Sequence, residues 1–266
     1  MKRRSFVKAS LLTGTMSGLV HMLAKAEEKE YYKKEKLEWY ELREYTLKDA
    51  RQQQLVEAYF RDAAIPALNK LGSKNVGVFT ALKPEGQTKL YVLIPYKSME
   101  AYVDMQDKLV KDSAYMQAAA PYLNAPAKTP AYERVQSSLL KAFKGMPRME
   151  VPEQKSRIFE LRRYESSGEA AGKKKIEMFN DAGEIAIFKK VGLTPVFFGE
   201  TIVGEMMPNL TYLLTFADMA EHDANWKAFG GDAEWKRIKA IPGYEDANIV
   251  SRITRTFLLP AAFSQV

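Results

Sequence analysis

The 266-residue chain has no cysteine and only two histidines, His21 and His222. Disulfides, thiolate nucleophiles, iron–sulfur clusters and cysteine zinc sites are thereby excluded. Twelve prolines and fifteen glycines are too few for a fibrous or low-complexity chain. Neither Gly-x-Gly-x-x-Gly nor the P-loop pattern occurs, so Gly192, Gly199, Gly204, Gly230 and Gly231 form no phosphate-binding loop. Only one apolar run approaches membrane length, and it lies at the N-terminus, which excludes a polytopic membrane protein. What is present is ordinary for a globular chain, 46% apolar and 27% charged.

The first residues read as an export signal. Met1-Lys2-Arg3-Arg4-Ser5-Phe6-Val7-Lys8 precedes an apolar stretch from Ala9 to Leu23, and Ala24-Lys25-Ala26 then offers a small-residue cleavage site. The core of Arg3, Arg4, Phe6 and Lys8 resembles a twin-arginine signal, with cleavage at Ala24 and Ala26. The stretch falls short of the ~20 residues needed to span a bilayer. The expectation is a periplasmic or otherwise exported protein with no stable membrane anchor after processing. This changes the charge balance. The net +7 includes five bases and no acid in residues 1–26, so the remainder carries 35 bases and 33 acids, or +2. A near-neutral mature chain gives no reason to expect nucleic acid as a partner.

After a charged lead-in at 27–38, the sequence repeats. Trp39-Tyr40-Glu41-Leu42-Arg43-Glu44-Tyr45 is echoed 119 residues later by Ile158-Phe159-Glu160-Leu161-Arg162-Arg163-Tyr164. Further pairs follow at similar offsets: Phe60 and Phe179, Gly72 and Gly192, Tyr91 and Tyr212, Asp112 and Asp232. Two units are expected, 39–143 and 157–266, joined by a Pro- and Gly-containing linker at 144–156. Each reads β-α-β-β-α-β, the ferredoxin-like order. The first helix of each ends at Gly72 or Gly192, and Pro66 should kink the earlier one. Ser98 and Asp218 suit N-caps of single helical stretches to Tyr122 and Ala240. The last strands are expected at 132–143 and 249–259. The fold class is α+β: two tandem ferredoxin-like units pair sheet-to-sheet as an intramolecular barrel. The alternative is pairing between chains in a homo-oligomer.

These elements carry a resemblance. The paired aromatic-Glu-Leu-Arg-x-Tyr strands, the helix ending before Gly72, Trp226-Lys227-Ala228-Phe229 with Asp232-x-Glu234-Trp235, and Leu259-Pro260-Ala261-Ala262-Phe263-Ser264 resemble the NIPSNAP family over roughly residues 39–264. The resemblance implies the dimeric α+β barrel superfamily, which includes cofactor-free mono-oxygenases, haem proteins and small isomerases. It implies no single chemistry. Eukaryotic members are mitochondrial, unlike this chain with its bacterial-type export signal.

Strand alternation puts Glu41, Arg43 and Tyr45 on one face, and Glu160, Arg162 and Tyr164 on the matching one. We expect helices to cover Tyr40/Leu42 and Phe159/Leu161, so that the Glu-Arg-Tyr face looks into the barrel. These six residues are the candidate ligand-binding set. Each pair is either a structural ion pair capped by a tyrosine or an anchor for an anionic or carbonyl ligand. A Ser-His-Asp triad or a haem would have to use His222, whose charged neighbours suggest an exposed helix surface. Lys173-Lys174-Lys175 reads as a solvated helix face. Asp218, Glu221, Asp223, Asp232 and Glu234 read as helix-end charges, and Trp226, Phe229 and Trp235 as helix-to-sheet packing. No catalytic residue, metal site or cofactor is assigned. The expected function is a non-catalytic, exported barrel that is structural or binds a small apolar or aromatic ligand. The alternative is a metal-free mono-oxygenase or isomerase using Arg, Glu and Tyr in the barrel interior.

Overall fold

The computed structural model describes residues 36–84 and 86–266; the proposed export and cleavage positions, Arg3, Arg4, Phe6, Lys8, Ala24 and Ala26, lie outside them. Eight strands run in chain order: β1 Trp39–Leu47, β2 Gly77–Ala81, β3 Thr88–Tyr96, β4 Arg134–Ala142, β5 Ile158–Glu165, β6 Thr194–Val203, β7 Asn209–Phe216 and β8 Arg252–Pro260. All pairings are antiparallel, and they close into a barrel in the order β1-β3-β2-β8-β5-β7-β6-β4. Each unit keeps the ferredoxin-like sheet order, β4-β1-β3-β2 and then β8-β5-β7-β6. The two sheets join edge to edge by hydrogen bonding, at β2–β8 and β4–β6. Closure in this way leaves no edge strand wholly unpaired.

The helices lie on the outer face of the barrel. In the first unit they are α1 Ala50–Ala58, α2 Ile65–Lys70, α3 Met99–Leu109 and α4 Ser113–Leu123; in the second, α5 Glu169–Asn180, α6 Glu184–Lys190, α7 Met219–Gly231, α8 Ala233–Lys239 and α9 Asp246–Ile249. A π-helical turn, Tyr59–Ala64, connects α1 to α2. It ends just before Pro66, and Ile65 N–H reaches back five residues to Phe60. Pro66 has no N–H to offer Asp62, and the extra residue in the turn accommodates that loss without breaking the helix. Gly72 and Gly192 then stop their helices at φ of +99° and +84°, a left-handed region open to glycine.

Ser98 and Asp218 are N-caps, their side chains accepting from Ala101 N–H and Glu221 N–H. The stretches after them are each two helices, not one. Asp112 and Asp232 interrupt them by capping a second helix, Asp112 accepting from Ala114 and Tyr115 and Asp232 from Glu234 and Trp235. The last strand begins at Arg252, because Ile249 closes the short α9, where its carbonyl accepts from Ser166 Oγ.

The barrel interior is packed. Tyr40, Phe79, Leu93, Leu140, Phe159, Phe197, Leu213 and Leu258 form one buried cluster spanning both units. Tyr40 meets Phe197 at 5.0 Å between ring centroids, and Phe79 meets Phe159 at 4.9 Å. Val266, Leu37 and Met149 pack against the same cluster. Separate apolar layers lie between each sheet and its own helices.

Candidate functional site

The packing reverses the expected faces. Tyr40, Leu42, Phe159 and Leu161 fill the barrel, whereas Glu41, Arg43 and Tyr45, like Glu160, Arg162 and Tyr164, point outward beneath the helices. Both strand faces are covered, one by the opposite barrel wall and one by helices, so period-two alternation separates them without telling which is inside. An eight-stranded barrel is just wide enough for side chains to fill, and here apolar ones fill it. A charged pair that needs several partners goes where helices can supply them. Strands β1 and β5 stand opposite each other in the ring, so the two Glu-x-Arg-x-Tyr sets form two separate clusters and share no interior.

In the first unit Glu41 is 5% exposed. Arg43 clasps it through Nε to Oε1 at 2.8 Å and Nη2 to Oε2 at 2.9 Å. Ser137 Oγ donates to Oε1 at 2.8 Å, and the Tyr96 hydroxyl donates to Oε2 at 3.0 Å. Burial alone would raise the Glu41 carboxyl, but Arg43 and the two hydroxyls hold it below its usual value. Burial together with Glu41 pushes the Tyr96 phenol far above its ordinary range. Both groups are therefore fixed in one protonation state at neutral pH.

The pair forms part of the wall of a pocket of about 360 Å³ between β1, β3 and the helices. Tyr59 and Phe60 come from the π-helical turn, Leu68 from α2, and Tyr102, Met105, Gln106 and Leu109 from α3. Val103, 63% exposed, is at its rim. Behind it, tyrosines continue the layer. Tyr45 shares a hydrogen bond with Tyr122 at 3.2 Å and Tyr59 with Tyr115 at 2.9 Å, while the Tyr59 and Tyr122 rings stack at 3.9 Å.

The second unit shows the same construction closed. Arg162 Nη1 donates to Glu160 Oε1 at 2.7 Å and Nη2 to the Tyr164 hydroxyl at 3.1 Å. Trp226 lies over the Arg162 guanidinium, 4.3 Å from ring centroid to Cζ, and its Nε1 donates to Glu160 Oε2 at 2.9 Å. The N-caps Ser98 and Asp218 put α3 and α7 in register, which makes Trp226 the counterpart of Gln106 and His222 that of Tyr102. An indole in place of a carboxamide covers the ion pair. Arg162 keeps 11% of its side chain exposed against 27% for Arg43.

His222 is buried, not exposed. Its Nε2 stands 3.3 Å from Glu160 Oε2, its Nδ1 is 2.8 Å from Asp223 Oδ1, and its ring meets Phe216 and Phe257 edge-on at 5.0 Å each. Its spacing of four and seven residues from Trp226 and Phe229 places all three on one helix face. Lys175 is also buried, at 1% exposure, between Glu184 at 3.3 Å and Asp246 at 3.2 Å. Three consecutive lysines point in three directions around a helix. Lys174 turns to Glu177, while Lys175 shares the inward side with Met178 and Phe179. Among the described residues no group of three or more His, Asp or Glu is disposed to hold a metal ion.

Tyr59, Tyr96, Tyr102 and Gln106 were not singled out from sequence. The repeat offset, extended from the strands to the caps, would have aligned Gln106 with Trp226 and exposed their difference.

A model of the NIPSNAP family matches the chain twice, over residues 40–144 and 159–265. No curated protein matches it. Among solved structures, a candidate monooxygenase from Fusobacterium nucleatum is 11% identical, with 85% of this chain and 93% of that one covered at a TM-score of 0.56. A candidate monooxygenase from Lactobacillus acidophilus is 10% identical over 84% of this chain and 94% of its own, TM-score 0.54. An uncharacterised NIPSNAP-like domain protein from Burkholderia xenovorans is 20% identical over 41% of this chain and 88% of its own, TM-score 0.36. Identities this low speak to fold alone. The family match is of another kind, since it covers most of the sequence in two copies: the chain belongs to the NIPSNAP family.

Proposed function

We propose that the protein is a small-ligand-binding barrel whose site is the pocket of the first unit, and that the second unit is its closed structural counterpart. The observation that carries this reading is the contrast between the two ion pairs. Glu41–Arg43 lines a pocket of about 360 Å³, whereas Glu160–Arg162 is covered by Trp226. Apolar and aromatic walls with a few convergent polar groups are what a pocket for a small organic molecule requires. The ligand is apolar or aromatic and carries one hydrogen-bond acceptor for Arg43 or a tyrosine hydroxyl.

The protonation chemistry favours binding over catalysis. Glu41 accepts four hydrogen bonds and is held below its usual pKa, so it is a poor base. It positions Arg43.

Gln106→Trp tests the assignment by building the second unit's cover in the first. Isothermal titration of the full chain with 1-naphthol should give saturable binding that weakens at least tenfold in the variant, with the melting temperature unchanged. Equal binding by the two proteins, or none by the wild type, would count against this site. Consumption of the naphthol in air would instead favour the metal-free enzyme.

A further inference from the structure

A cavity larger than the Arg43 pocket lies elsewhere, at a seam between the two units. Strand β2 is only five residues long, and β3 and β8, its neighbours, have nine each. Pairing with β8 ends at Ala81, with one more hydrogen bond from Leu82 N–H to Phe257 O. Beyond that level the first residues of β3 and of β8 lack a strand between them. The opening is a cavity of about 460 Å³. At the opposite seam β6 runs ten residues and pairs with β4 as far as Val203. The duplication thus has one sealed seam and one open one.

The walls of the opening have a distinct chemistry. Lys83, Lys89 and Arg255 line it, with no carboxylate among the described lining residues. Lys89 is partly neutralised by Glu44 at 2.5 Å. Lys83 and Arg255 are exposed and have no ion-pair partner among the described residues. Arg255 moreover stands directly across the strands from Arg162, whose own carboxylate is Glu160. Like charges opposed on a sheet cost stability, and the first unit has Ser137 at the matching place beside Arg43. Asp218 and Glu221, beside Met219 at the start of α7, are turned to the backbone, capping Glu221 N–H and Ala217 N–H. The rest of the wall combines apolar Leu82, Phe257 and Met219 with the polar side chains of Gln87, Tyr91 and Thr256.

We infer that this seam cavity is a second binding site, for a small organic anion whose negative group lies between Lys83 and Arg255 and whose apolar body packs on Phe257, Met219 and Leu82. Cations from both units converge on it, so an anion placed there screens the repulsion between Arg255 and Arg162 and bridges the two halves of the barrel. It shares no lining residue with the Arg43 pocket.

Naphthalene-1-sulfonate, titrated calorimetrically into the full chain at low salt, is a suitable probe. We expect one saturable site that weakens with added chloride and weakens at least tenfold in Arg255→Glu and in Lys83→Glu. Arg255→Lys should retain binding within a few-fold, and Gln106→Trp should leave it unchanged. Both charge reversals are at exposed positions, and if one fails to fold, the other decides. Wild-type affinity in the reversals, loss of binding in Gln106→Trp, or no binding to the native chain would each overturn the proposal. The Gln106→Trp result also separates its failure from that of the Arg43 pocket.

Discussion

Glu184 shows how far a single side chain can depart from its sequence appearance. It is 2% exposed, and burial pushes its carboxyl up to about 7, with Lys175 offsetting only part of that cost. Lys175 keeps its proton, because Glu184 and Asp246 together outweigh its own desolvation. Below pH 4.5 Glu184 is protonated whether the chain is folded or not. Between 4.5 and about 7 the folded form holds a proton that the unfolded chain has released, so this group's contribution to stability falls as pH rises. Above 7 the loss is complete, on the order of 3 kcal/mol. Glu184→Gln removes the titration and substitutes a constant offset. Urea unfolding at pH 5 and pH 8 should show the variant gaining on the wild type by roughly 1–3 kcal/mol at the higher pH. A gap that does not move with pH would contradict the assignment. None of this is legible in Lys173-Lys174-Lys175 or in an isolated glutamate. Which lysine points inward depends on helix rotation, and only packing sets that.

The element scale was the most readable. Glu41, Arg43 and Tyr45 alternate as a strand must, and Gly72 and Gly192 end helices for the stated reason. That makes them a matched pair for substitution. At Gly72 an added Cβ meets nothing nearer than Lys97 Nζ at 3.9 Å, whereas at Gly192 it comes within 2.9 Å of Asn225 Nδ2. Gly72→Ala should cost about 1–2 kcal/mol from left-handed backbone alone. Gly192→Ala should cost more, since Asn225 also donates to Gly192 O and must move. The urea midpoints of the two variants check this order, and the reverse order would contradict it. Less readable were the breaks. Asp232 reads as a helix-end charge and Asp112 as its repeat partner, but neither announces that a second helix starts there until the backbone turns, and the π-helical turn before Pro66 spreads a local defect over six residues.

For the whole molecule, edge-to-edge closure makes each half dependent on the other. The first unit alone would expose the edges of β2 and β4 and leave Tyr40, Phe79, Leu93 and Leu140 as an open apolar face. Edges and faces of that kind pair or aggregate. Residues 37–146 expressed alone should therefore be dimeric or larger by light scattering; a stable monomer would argue against closure as the source of stability. The same closure decides what the Glu-x-Arg-x-Tyr strands face. Their pattern showed a repeated, two-sided strand, and the duplication showed two equivalent units. Periodicity and repetition are local properties, carried by the order of residues, so the sequence alone determined the elements, their doubling and the family. Which face became the interior, which ion pair was left uncovered and where the barrel wall opened are properties of contact. Only the tertiary structure decided them, because they turn on Trp226 against Gln106 and on a β2 shorter than its neighbours, differences that take effect once the chain is closed.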